Sequence, residues 1–158
     1  MPEFINGLPL HALVVHAVVV LIPLAVLGAV VIAVWQAARA RYGWLVVAFA
    51  VVGTVLTPIA TSSGDDLSRR LPENPLIERH EELGDLLIWF VLGLLVAVTA
   101  LMVVTTRRPE TWTKPVVIVL AVLTVGTGVA AGVHTFRVGE AGATAVWQGT
   151  DQQPVRGR

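Results

Sequence analysis

No cysteine occurs among the 158 residues. That excludes disulfides, thiolate metal sites and cysteine nucleophiles together. Charge is scarce too, at 14% of residues, where ordinary soluble chains carry about 25%. The eleven basic and eleven acidic residues cancel, so nothing implies a nucleic-acid partner. No lysine or arginine precedes the first apolar run, as a cleaved signal peptide would require, and that run is too long for a signal core. What the chain has in abundance is apolar surface: 55% hydrophobic residues and a mean hydropathy of +0.76. These are the proportions of an integral membrane protein.

Four apolar stretches, 8–35, 44–61, 83–105 and 115–136, are each long enough to cross a hydrocarbon core, which takes about 20 helical residues. Within lipid only a helix satisfies its own backbone inside one segment. The expected fold is therefore all-α, an integral membrane four-helix bundle with a helical outer loop between spans two and three. The transmembrane domain is bounded at residue 147, with 148–158 a flexible tail. The stretch after 136, rich in Gly, Thr and Gln, is expected to hold little regular structure. No internal repeat is visible. Asn74-Pro75 reads as an N-cap followed by proline at the first helical position, which starts span three before the membrane.

The short connections one and three carry Arg39, Arg41, Arg107, Arg108 and Lys114 against Glu110 alone. The positive-inside bias puts them in the cytoplasm, and both termini outside it, in the cell membrane. Trp35, Tyr42, Trp44 and Trp112 gather at the same cytoplasmic ends, as amphipathic rings do at an interface.

That topology gathers the four histidines at the other side. His11 and His16 open span one, His80 precedes span three, and His134 ends span four. An ionisable residue inside a span is costly and marks a functional site by default. Paired histidines on facing helices can hold a haem iron axially in a bundle core. Depth along the helices couples His16 with His134, leaving His11 and His80 as the shallower pair. Small residues near His134 (Thr127, Ala130, Ala131, with Gly126, Gly128 and Gly132) and near His16 (Ala12, Ala17) leave room for a porphyrin. Arg137, with Arg69, Arg70 and Arg79, offers partners for haem propionates. Asp65, Asp66, Glu81 and Asp85 are acceptors that orient imidazole rings, or simply solvated surface. Gly128-x-x-x-Gly132 has an ordinary role in helix packing.

Leu10-His11 with His16 opening span one, Gly64-Asp65 after span two, His80 before span three, and the segment from Arg137 to Trp147 resemble the four-span predicted membrane proteins of domain of unknown function 2231. The resemblance covers nearly the whole chain. Family members often place Phe-Pro after the second histidine and a further histidine where Glu140 stands here. Some relatives are joined to Rieske-type iron–sulfur domains, which implies a redox setting.

The expected function is a haem b (or metal) protein in a redox or electron-transfer role. His16 and His134 are the metal ligands, and His11, His80 and Arg137 complete the cofactor site. Membrane lipid is one partner, and a redox protein or a second copy of the chain is another. The alternative is a non-redox subunit or scaffold without cofactor. A zinc hydrolase fits least, because catalytic zinc wants three ligands at matched depth.

Overall fold

A computed structural model describes residues 4–107 and 113–149. Connection three (Arg108, Glu110 and Trp112 among it) and most of the tail, 150–158, lie outside the described residues. Four helices carry the chain: α1 (Leu10–Val34), α2 (Gln36–Ser68), α3 (Pro75–Arg107) and α4 (Thr113–Trp147). All four are long and apolar enough to span a membrane. Ahead of them Phe4–Ile5 (β1) and Leu8–Pro9 (β2) pair antiparallel, joined by Asn6 at φ 51° and Gly7 at φ 80°. Asn-Gly is the favoured pair for such a two-residue turn, because both central residues need positive φ.

The helices outrun the apolar stretches. α2 does not stop at Thr61 but continues to Ser68, and α4 runs ordered through the Gly-rich segment to Trp147. Helices of 33 to 35 residues are roughly 50 Å long at about 1.5 Å per residue, against a core of about 30 Å. Their polar ends extend past the apolar stretches and wall a mouth at one end of the bundle. The outer connection shrinks to the six residues between α2 and α3, where the Asn74 side chain accepts the Leu76 N–H at 2.9 Å. The cap with proline behind it is where the sequence placed it.

At the other end one residue, Trp35 in extended conformation, separates α1 from α2. Arg39 is buried there, 8% exposed. Its Nε donates to the Ile32 carbonyl and its Nη2 to that of Ala33, both at 2.6 Å. The last carbonyls of a helix lack intrahelical donors, and this fork supplies them. Arg39 thus ties the hairpin shut. Arg39→Ala should destabilise the folded protein by about 2–3 kcal/mol, since each charged hydrogen bond contributes roughly 1.5 kcal/mol or more. Arg39→Lys should recover only part of that, because an ammonium lacks the planar fork. Thermal unfolding in detergent reads both.

The two hairpins repeat one pattern that the sequence hides. Buried positions of α1 (Val18, Ile22, Ala25, Ala29, Ile32) match Leu87, Val91, Leu94, Val98 and Leu101 of α3 at constant spacing. Thr57 in α2 and Thr135 in α4 are both buried, each bonding the carbonyl four residues back. α1 packs chiefly on α2 and α3 on α4, the pairs α2–α3 and α1–α4 close the bundle alike, and α1 and α3 face each other across the diagonal with few contacts. This is the arrangement of parallel repeats about an axis along the membrane normal. Side-chain identity changed too far for the repeat to show in the sequence. Leu, Val and Trp side chains on the outer faces stay exposed, as lipid contact requires.

Candidate functional site

His11 and His80 meet at the mouth of the bundle, on the diagonal helices α1 and α3. Their ring centres are 6.2 Å apart and their planes 82° to one another. Each ring is fixed by the second helix of its own hairpin. His11 Nδ1 donates to the Ala60 carbonyl of α2 at 2.9 Å, and His80 Nδ1 donates to the Val138 carbonyl of α4 at 3.0 Å. A carbonyl can only accept, so Nδ1 carries the proton of each bond, and the neutral tautomer that fits this leaves Nε2 a free lone pair. Metal-ligating histidines are oriented by the same kind of bond, made by the nitrogen that does not ligate.

A glycine four residues after each accepting carbonyl lets the ring lie flat on the helix. A Cβ at Gly64 would stand 3.1 Å from His11 Cε1 and Nδ1, and one at Gly142 would stand 3.0 and 3.1 Å from the same atoms of His80. Histidine, carbonyl and glycine therefore occur twice, once per hairpin, as one half-site each. Backbone carbonyls of α2 and α4 orient the two rings, rather than the carboxylates of Asp65, Asp66, Glu81 and Asp85 that one reading of the sequence offered.

Two cavities share the pair. Beneath it lies a pocket of about 80 Å³ with largely apolar walls that include Val15, Val18, Thr57 and Leu87. Above it opens a groove of about 870 Å³ between the end of α2, the start of α3 and the end of α4, with Leu67, Leu71, Ile77, Ala143 and Val146 in its walls. Glu81 lines both. Its Oε1 is buried with no hydrogen-bond partner among the described residues, so the mouth carries one unpaired acceptor.

A family model described as a predicted membrane protein (DUF2231) matches residues 7–151, a stretch that contains both half-sites and all four helices. The chain belongs to the DUF2231 family. No curated protein and no solved structure matches it.

In this DUF2231 chain the expected coupling of His16 with His134 is not the one the bundle makes. His16 is exposed on the outer face of α1, its Nδ1 turned back to the Ala12 carbonyl of its own helix. Five residues at 100° each carry it about 140° around the helix from His11, so matched depth did not mean a matched face. His134 is buried, 6% exposed. It stacks on Phe90 at 4.3 Å, and its Nε2 donates to the Leu83 carbonyl of α3 at 2.8 Å. It cross-links α3 to α4 through that bond. Arg137 lines neither cavity of the His11–His80 pair; it lies with Arg79 in a separate groove. Among the described residues no three His, Cys, Asp or Glu side chains converge to hold a metal ion.

Proposed function

We propose that this membrane protein holds a b-type haem between His11 and His80 and serves in electron transfer. The observation that carries the reading is the pair of Nε2 lone pairs, freed by the two Nδ1 bonds, on rings 6.2 Å apart. Metal–nitrogen bonds are about 2 Å long and a ring centre lies roughly 1.1 Å behind its nitrogen, so rings at this separation would hold one haem iron between their Nε2 atoms. The donor set fits haem better than a bare ion: a porphyrin brings four of the six ligands, so two histidines suffice where zinc would need three or four from the protein. A groove of about 870 Å³ lies within the usual range of about 300–1,000 Å³ for ligand pockets. The near-two-fold mouth suits a planar ligand with equivalent faces.

The haem, when bound, supplies one-electron chemistry at its iron. The residues of the chain do the rest. Ala60 and Val138 set the tautomer and the aim of the rings, and hydrogen bonding at Nδ1 raises the basicity of Nε2. Apolar groove walls limit water and lower the local dielectric around the charge that changes. One observation favours a subunit without cofactor instead: His134 shows that an imidazole in this bundle can serve purely as a bond between helices.

The mouth faces away from the cytoplasm in this proposal, following the arginine bias of the opposite end. Because the chain has no cysteine, Gln148→Cys and Tyr42→Cys give single-thiol probes. An impermeant maleimide should label intact cells at position 148, and at position 42 only after permeabilisation. The reverse pattern would invert the topology. For the cofactor itself, the purified protein titrated with haemin should develop the Soret and split visible bands of a six-coordinate low-spin haem at one equivalent. A protein that stays colourless would defeat the haem reading.

A further inference from the structure

The groove that takes Arg137 away from the histidines has a use of its own. Arg79 and Arg137 stand on adjacent helices, both exposed, in a polar groove of about 490 Å³ whose other walls are Leu76, Leu83, Glu140, Ala141 and Thr144. Among the described residues neither guanidinium has a hydrogen-bond or ion-pair partner. The groove lies on the far side of the α3–α4 seam from the histidine mouth: Arg137, Glu140 and Thr144 recur at helical spacing, and the mouth residues Gly139, Gly142 and Val146 form the stripe about 200° around the same helix. Arg79 adjoins His80, and Arg137 adjoins the Val138 whose carbonyl holds that ring. Both cations therefore stand at the level where the apolar part of the bundle ends.

Directly along the same two stripes, toward the middle of the bundle, the helices expose Leu86 on α3 and Val133 on α4, with Phe136 beside them. A polar groove with two free guanidiniums and one carboxylate has a net charge of one positive. Opening onto an apolar lane at a membrane interface, it matches an amphiphile with a singly charged anionic head and acyl chains. We propose that Arg79 and Arg137 bind the phosphodiester of an anionic phospholipid such as phosphatidylglycerol. The guanidinium forks take the phosphate oxygens, the Glu140 carboxylate accepts from a headgroup hydroxyl, and the chains lie along Leu86 and Val133. The shared chemistry with free phosphate is the oxyanion; the lane is what favours lipid.

Native mass spectrometry of the full chain released from mixed phosphatidylglycerol and phosphatidylcholine bicelles tests this. The wild type should retain phosphatidylglycerol over phosphatidylcholine by roughly tenfold or more, as two interfacial arginines would give. Arg79→Gln/Arg137→Gln should bring the two lipids to parity, while Arg79→Lys/Arg137→Lys, which keeps the charge and guards against misfolding, should hold part of the preference. Millimolar inorganic phosphate should leave the lipid adduct in place. Parity in the wild type, or a preference that survives the double Gln variant, would overturn the site. Displacement by inorganic phosphate would show a free-oxyanion site and overturn the lipid assignment.

Discussion

Replacing either His11 or His80 with alanine should reduce haem affinity at least a hundredfold, with the two variants equivalent. Loss of a partner that only orients a ligand already costs about 10–100-fold, and here a ligand itself is removed. Equivalence follows from the repeat: each histidine is held by a carbonyl of the second helix of its hairpin and lies over a glycine. His16→Ala should leave affinity within about twofold, because that ring is outside the bundle and bonded to its own helix. His134→Ala should lower stability and leave haem per folded molecule unchanged. Haemin titration followed at the Soret maximum reads all four. Retained binding in the His11 and His80 variants would refute the assignment, and loss in His16→Ala would restore the deeper pair.

Enlarging the half-site glycines should do nearly as much damage with a single carbon. Gly→Ala within a helix normally stabilises by about 0.5–1 kcal/mol. At Gly126, where a Cβ meets nothing within 4 Å, that gain is expected and haem binding should not move. At Gly64 and Gly142 the added Cβ presses on Cε1 and Nδ1 of the ring. The ring must shift by a few tenths of an ångström, loosening its carbonyl bond and turning Nε2 off the shared axis. Overpacking of this kind costs about 1–3 kcal/mol, or roughly 5- to 150-fold in affinity. Gly64→Val or Gly142→Val should abolish binding. Unaltered haem affinity in both valine variants, with the fold intact by circular dichroism, would show that the rings need no such seat.

Much of the fold is legible in the sequence for a plain reason: in lipid, length and apolarity alone decide that a segment is a helix. The cap at Asn74-Pro75 reads directly. The helix ends were harder. Polar residues such as Asp65 and Glu140 look like loop, but a helix already formed in the membrane propagates outward at low cost. The Asn6-Gly7 hairpin was there to be read, since that pair is a turn signal of its own. For the site, the four histidines stood out as costly residues, but depth was weighed without angle. Counting 100° per residue puts His11 with Val15, Val18 and Ile22 on the buried face and His16 with Leu13, Val20 and Leu27 on the outer one. Accepting carbonyls have no sequence signature. Gly64 and Gly142 do, though only once a ring is known to need the space. The repeat was invisible because membrane packing constrains size and apolarity more than identity.

The most direct test is electron paramagnetic resonance of the ferric protein loaded with one equivalent of haem. The ring planes of His11 and His80 lie 82° apart, and near-perpendicular axial imidazoles give a strongly anisotropic low-spin signal, distinct from the rhombic signal of parallel ones. The account predicts that anisotropic low-spin signal in the wild type and in His16→Ala, and its replacement by high-spin iron in His11→Ala and His80→Ala. A high-spin wild type, or a low-spin signal that survives loss of His11 and of His80, would contradict it.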